Sequence, residues 1–292
     1  MRRSGAPRCW ERTEFNLEER RYLWLLLLPV ALVLAVFLLW PLFLVLWESF
    51  FVEGTFSLDN YLSLFVRKLY RESLATSLSL SFLTSFLGVL IGLPISYAVY
   101  KSGRAKGFLM ALTAIPLTLS GLVVGFAFIV LLGTSGFFTL LLKKWFDINP
   151  LEFSAFLFTW RGLVVAYLYF LIPRTILTMV VAWSNADWSL IEAAESLGAS
   201  RATIARRVLL PMLAPALLSG SSLLFAVSMG AFGTAFALTG TAVKILPMII
   251  YTHVSDMSAD IAQADALAVV LTLVTTLVIV GYERFFAVKS PR

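Results

Sequence analysis

Six long blocks of apolar residues, parted by short polar segments, run along the chain. Their predicted bounds are Tyr22–Trp47, Leu74–Val99, Phe108–Leu132, Phe156–Trp183, Met212–Leu238 and Ala266–Phe286. A helix crossing a bilayer needs about 20 consecutive apolar residues, and each block meets that length. The pattern predicts an all-α integral membrane protein with six transmembrane helices. Residues 1–21 form a polar tail, and residues 22–292 form one membrane domain. The first block is too long for a signal peptide and no Ala-x-Ala site follows it, so it is expected to be an uncleaved anchor.

Composition agrees: 60% of the 292 residues are hydrophobic and 14% charged, where a soluble domain carries about a quarter charged residues. Charge sets the expected orientation. With the N-terminus inside, sixteen Lys and Arg fall on inner segments and seven on outer ones, which is the arrangement the positive-inside rule favours. Both termini are then cytoplasmic, and the net charge of +6 needs no nucleic acid to explain it. Single residues exclude several chemistries. Cys9 is the only cysteine and cannot form an internal disulfide, while His253 is the only histidine, which argues against histidine-rich zinc sites and Ser/His/Asp triads. No G-x4-G-K-[ST] phosphate loop occurs, so the chain is not expected to hydrolyse ATP by that route, and no cofactor is expected within it.

Two loops stand out. The outer segment Gly133–Ala155 carries the apolar pieces Phe137–Leu142 and Trp145–Phe146, which suits a helix lying on the outer face. The inner segment at about 184–211 contains SLIEAAESLGASRATIARRVLLP from Ser189 to Pro211. It predicts two short helices joined by a turn. Asp187 or Ser189 can cap the first, and Leu190, Ile191, Ala194 and Leu197 form its apolar stripe. Gly198 is placed to end that helix in a left-handed conformation. The second carries Ile204, Val208 and Leu209 on one side and Arg201, Arg206 and Arg207 outward, and Pro211 is expected to stop it. An apolar-faced pair on this side lies on lipid or docks on a partner.

This segment resembles the loop E-A-A-x3-G-x9-I-x-L-P of binding-protein-dependent permeases of ATP-binding-cassette importers. Glu192, Ala193, Ala194, Gly198, Leu210 and Pro211 match it, and Val208 stands in the Ile position. Helices 2 to 6 are similar to the type I importer core. The runs Tyr169–Pro173 and Gly230–Thr234, with Gly240, are similar to the spermidine/putrescine, iron(III), thiamine and phosphonate permeases. Many of these relatives have an acidic residue where Ala231 stands, which weakens any carry-over of a cationic solute. The resemblance implies a type I ABC importer permease fold in a bacterial-type inner membrane. It also implies alternating access for a small solute, two ATPase subunits holding ATP and Mg, a second permease of different sequence, and an external solute-binding protein. Within the loop, Glu192, Ala193, Ala194, Leu197, Gly198, Leu210 and Pro211 would be the ATPase-coupling residues.

The remaining candidates lie inside the membrane. Arg174 follows Pro173 within helix 4. It suits either a cation reaching the cytoplasmic headgroups or one lining the solute path, where it can also serve a carbonyl freed by the proline. In helix 5, Gly230, Phe232 and Thr234 border the expected route, with Phe232 as an apolar gate; close packing would need the same small residues. His253, Asp256 and Asp260 share a helical spacing that suits a metal, or a loop in which Asp260 caps helix 6. An ion-coupled secondary transporter is the alternative function. It calls for midplane carboxylates and inverted repeats, and the predicted spans show neither.

Overall fold

The computed structural model describes residues 27–52, 54–255 and 260–287. The tail with Cys9, and Asp256, lie outside the described residues. The chain divides into two units, the first ending at Glu48 and the second beginning at Ser49. In the first, helix α1 (Leu27–Glu48) is apolar all round and includes a π-helical turn at Ala35–Leu39. A helix with no polar stripe suits lipid.

The second unit opens with a small hairpin, β1 (Phe51–Val52) and β2 (Thr55–Phe56), paired Phe51 to Phe56 and Val52 to Thr55. Helix α2 (Asp59–Val66) leads into α3 (Lys68–Lys101), which overshoots the predicted second span at both ends. The third span was expected as one helix over Phe108–Leu132. Instead it is broken into α4 (Lys106–Thr118) and α5 (Gly121–Leu132). Leu119 is extended, at φ −85° and ψ 137°, and Ser120 caps α5 by accepting the Val123 N–H. Pro116 starts the disruption, because its ring nitrogen has no proton for the helix ladder. The stretch Gly121–Phe146 is also long and apolar enough to cross a membrane. A turn at Gly133–Gly136 divides it from α6 (Phe137–Phe146), however, and α5 alone reaches only ~18 Å. Leu109 and Met110 of α4 pack with Val99, near the C-terminal end of α3, whereas α5 packs against the N-terminal end of the fourth span. We therefore take α4 and α5 together as the third crossing. Helix α6 forms within the outer segment as expected, followed by α7 (Pro150–Ala155), on whose first turn Asn149 accepts the Leu151 N–H.

Helix α8 (Trp160–Ser184) is the centre of the unit. Leu163, Tyr167 and Leu171 are fully buried in it, and α3 packs along its length. After α8 come α9 (Ser189–Ser196) and α10 (Arg201–Met229). Pro211 was expected to stop the second loop helix before the fifth span. The two are one continuous helix, because a π-helical segment, Ala205–Leu209, precedes the proline. Its wider i→i−5 bonding, with Leu210 N–H on Ala205 O, relaxes the turn into which the proline ring would otherwise intrude. The fifth span, expected as one helix over Met212–Leu238, breaks at Gly230–Phe232 before α11 (Gly233–Thr239). A further helix, α12 (Leu246–Ser255), precedes α13 (Ile261–Ala287). Hydroxyls tie these elements together. Thr84 Oγ1 lies 2.8 Å from Ser228 Oγ, and Ser77 Oγ accepts the Leu246 N–H at 2.7 Å.

Candidate functional site: a projecting loop and a cavity between broken helices

In the loop after α8, Asp187 Oδ1 accepts both the N–H (3.1 Å) and the hydroxyl (2.6 Å) of Ser189, which starts α9. The helix ends in a Schellman turn: Gly198 N–H reaches Glu195 O at 2.9 Å and Ala199 N–H reaches Ala194 O at 3.1 Å. That turn requires Gly198 at φ +76°. Ser200 Oγ then accepts the Thr203 N–H and opens α10. Ile191, Ala194 and Ile204 turn inward. The anticipated apolar stripe of α9 is therefore split, because Leu190 and Leu197 face out, with Leu197 87% exposed. Glu192, Ala193, Leu210 and Pro211 are exposed as well.

The base of this loop is clamped to the ends of α3 and α4. Trp188 stacks on Tyr100 with centroids 5.7 Å apart and planes within 4°, and it lies 6.1 Å from Trp183. Lys101 Nζ sits 5.1 Å from the Trp188 ring centre. Lys106 Nζ donates to Ser184 Oγ at 2.9 Å, and Trp183 Nε1–H donates to Ser96 Oγ at 3.0 Å.

Within the membrane domain the break between α4 and α5 faces the break between α10 and α11. Thr234 Oγ1 donates to Gly121 O at 2.9 Å, and the Tyr167 hydroxyl donates to Ala231 O. Gly233 is needed at this crossing, since a Cβ there would stand 2.9 Å from Leu122 N. Between the breaks lies a cavity of about 270 Å³ lined by Arg174, Gly230, Ala231, Phe232 and Thr234, with apolar residues such as Phe170 and Leu117 completing the wall. Irregular backbone at membrane depth occurs where it is buried in protein or borders a cavity. Phe232 packs in an aromatic trio with Phe236 (5.4 Å) and Tyr251 (5.0 Å). A larger concavity of about 800 Å³ lies toward the outer ends of α3 and α8, lined by Glu72, Trp160 and Lys244 among others. No candidate residue lines it, although the irregular stretch between α11 and α12 contributes Ala242, Val243 and Lys244 to its wall.

The Arg174 guanidinium turns back one helical turn toward the N-terminal end of α8, donating to Phe170 O at 3.0 Å and lying 5.6 Å from the Phe170 ring centre. The carbonyl freed by Pro173 belongs to Tyr169, so the arginine serves the next one along. His253 contacts Tyr70, Nε2 to hydroxyl 2.9 Å, and Asp260 caps α13 by accepting the Gln263 N–H. Neither residue joins a metal-holding group among the described residues.

Residues 84–292 match the family model described as the binding-protein-dependent transport system inner membrane component. The chain belongs to this family. It is a permease subunit of an ATP-binding-cassette importer, and a multi-pass membrane protein. A probable ABC transporter permease, y4fN of Sinorhizobium fredii, is 27% identical over 90% of the permease, which spans about half (46%) of that relative. Two Haemophilus influenzae proteins are also similar. The spermidine/putrescine transport system permease PotB is 29% identical, over 88% of this chain and 87% of its own. The molybdenum transport system permease ModB is 28% identical, over 70% and 91%. A chain of the bacterial alginate ABC transporter, solved in complex with an alginate-pentasaccharide-bound periplasmic protein, shares the fold with TM-score 0.72. It covers 94% of the permease and 97% of that chain at 18% identity.

The structure thus brings Arg174, Gly230, Phe232 and Thr234 of the permease to one cavity, and it turns Glu192, Ala193, Leu197, Gly198, Leu210 and Pro211 outward on one loop. Ala194 is half-buried. Sequence reasoning missed the clamp, whose signal was the crowding of Tyr97, Tyr100, Trp183 and Trp188 with lysines at two predicted inner ends.

Proposed function

We propose that this permease couples ATP hydrolysis on separate ATPase subunits to solute import, through the loop built by α9 and the start of α10. The observation that carries this reading is the outward presentation of Glu192, Leu197, Leu210 and Pro211 on a loop whose base is clamped to the membrane helices. Leu197 is an anchor suited to a groove on a partner. Ala193 and half-buried Ala194 permit close approach, and Glu192 offers a charged contact. ATP and Mg belong to the partner, two ATPase subunits closing on each other as ATP binds. That geometry calls for two such loops, and so for a second permease, which we expect to be a different chain. An external protein delivers the solute, in keeping with the family description. Both termini are cytoplasmic on this reading, as the charge asymmetry requires. Arg174, Gly230, Phe232 and Thr234 border the solute route, with Phe232 and its two aromatic partners as the gate. Rocking of the permease pair opens the cavity to alternate sides.

Reconstitution with the neighbouring ATPase and binding protein tests the assignment. Glu192→Lys should insert normally and lose solute-stimulated ATPase activity; full stimulation would refute the coupling role.

A further inference from the structure

The cavity between the broken helices holds one ionisable side chain among the described residues that line it, and that side chain is a cation. Arg174 lies ten residues before the inner end of α8 and fourteen after its outer end, about 15 and 21 Å along the axis. That depth is close to the middle of the bilayer, where a charge is costly and is kept for a purpose. Of the guanidinium's five N–H donors, one is committed to Phe170 O. No carboxylate among the described residues stands within ion-pair distance of it. The polar groups around it do not offset its charge. The Thr234 hydroxyl proton is committed to Gly121 O, that of Tyr167 to Ala231 O, and Ala231 itself brings no acid to the wall.

An uncompensated cation in a low-dielectric cavity attracts anions and repels cations far more strongly than one in water. A polyamine would need carboxylates here and would meet an arginine. We infer that Arg174 makes this cavity anion-selective, and that the solute passed is small and carries a carboxylate, phosphonate or comparable oxyanion group, which the planar guanidinium can hold through two parallel N–H···O bonds. This inference rests on the reading of the cavity as the solute route.

The test measures the cavity's charge preference without knowing the solute. In a Cys9→Ser background, single cysteines replace Ala231 in the cavity wall and Ser135 in an exposed outer turn. Opened membrane vesicles containing the full-length chain are treated with a sulfonate-bearing and, separately, a trimethylammonium-bearing methanethiosulfonate. The ratio of anionic to cationic labelling rate at Ala231→Cys, divided by that at Ser135→Cys, is expected to exceed one by at least about tenfold, the lower bound set by a charge a few Å away even at water-like dielectric. Arg174→Gln should return the ratio to about one, and Arg174→Lys, which keeps the charge, should retain most of the preference and guards against a general loss of structure. A ratio near one with Arg174 intact overturns anion selectivity while leaving the route standing, since the cysteine is still reached. Failure of Ala231→Cys to react with either reagent, while Ser135→Cys reacts, overturns the route itself and the selectivity with it.

Discussion

Replacing Gly198 isolates the backbone geometry of the loop from every other contribution. Its φ of +76° is a conformation other residues adopt at a cost, yet a Cβ built there meets nothing within 4 Å. The penalty is therefore conformational, with no collision to relieve. Alanine should cost roughly 1–2 kcal/mol, and valine more, because its branched side chain is a true outlier at positive φ. Opposing that cost are the two turn bonds, Gly198 N–H to Glu195 O and Ala199 N–H to Ala194 O, each worth about 1 kcal/mol net. The terms are of the same size, so valine should tip the turn into other conformations and move Leu197 out of its present place on the loop. Clamped at its base and capped by Asp187, the rest of the loop should hold. Solute-stimulated ATPase activity of the reconstituted complex is expected to fall about tenfold or more in Gly198→Val, with basal activity and insertion retained. Gly198→Asn should keep most of the stimulation, since asparagine tolerates the left-handed region. Wild-type stimulation in the valine variant would refute the turn's role. Equal losses for asparagine and valine would refute the backbone argument and show that any side chain there blocks docking.

Three further outcomes are expected. Trp188→Ala, which removes the ring stacked on Tyr100 beneath Lys101, should leave ATPase binding intact in a pull-down and lower coupled transport several-fold; unchanged transport would deny the clamp a part in transmission. Native mass spectrometry of the intact complex should show two permease chains with two ATPase subunits. A homodimer would contradict the heteromeric expectation, and a single permease the mechanism as a whole. A double-mutant cycle on Thr84→Val and Ser228→Ala, followed by thermal unfolding in detergent, should give a coupling of roughly 0.6 kcal/mol, the usual worth of a hydroxyl pair between membrane helices, and a value near zero would show that the 2.8 Å contact stabilises nothing.

The number of crossings and the loop between α8 and α10 were legible because hydropathy and glycine chemistry are local properties. Gly198 ends its helix for a reason visible in the string itself. The two helix breaks were not legible as breaks, since Leu119 and Phe232 are as apolar as their neighbours and hydropathy does not register backbone conformation. Pro116, Ser120 and the glycines at 230 and 233 were the only traces. Pro211 misled because a π-helical turn can carry a helix past a proline, and nothing in local composition signals that turn. The orientation of Arg174 was out of reach for another reason: headgroups and a carbonyl one turn back both satisfy an arginine, and only the packing around Phe170 chooses between them. The apolar stripe of α9 was read as one face, but Ile191 and Ala194 are partly covered while Leu190 and Leu197 stand exposed.

Helix α10 runs without interruption from the turn at Ser200 to Gly230 at the edge of the cavity. At 1.5 Å per residue its 29 residues make a strut of about 43 Å. A strut of that kind does not bend readily along its length, so a tilt imposed at Arg201 reappears at Met229 with opposite sense about whatever point holds the helix. Its compliant places are the π-helical segment at Ala205–Leu209, close to the loop, and Pro215 near the middle, whose ring nitrogen has no proton for the ladder. With a pivot at the π-helical segment, the short arm lies on the side of the loop and the long arm runs to Met229, so a small angular change at the loop would arrive as a larger sideways displacement where the helix stops. Length, more than any single contact, sets the gain of that transmission, so inserting one helical turn between Met212 and Ser219 should change how far the inner wall of the cavity travels for the same movement outside the membrane.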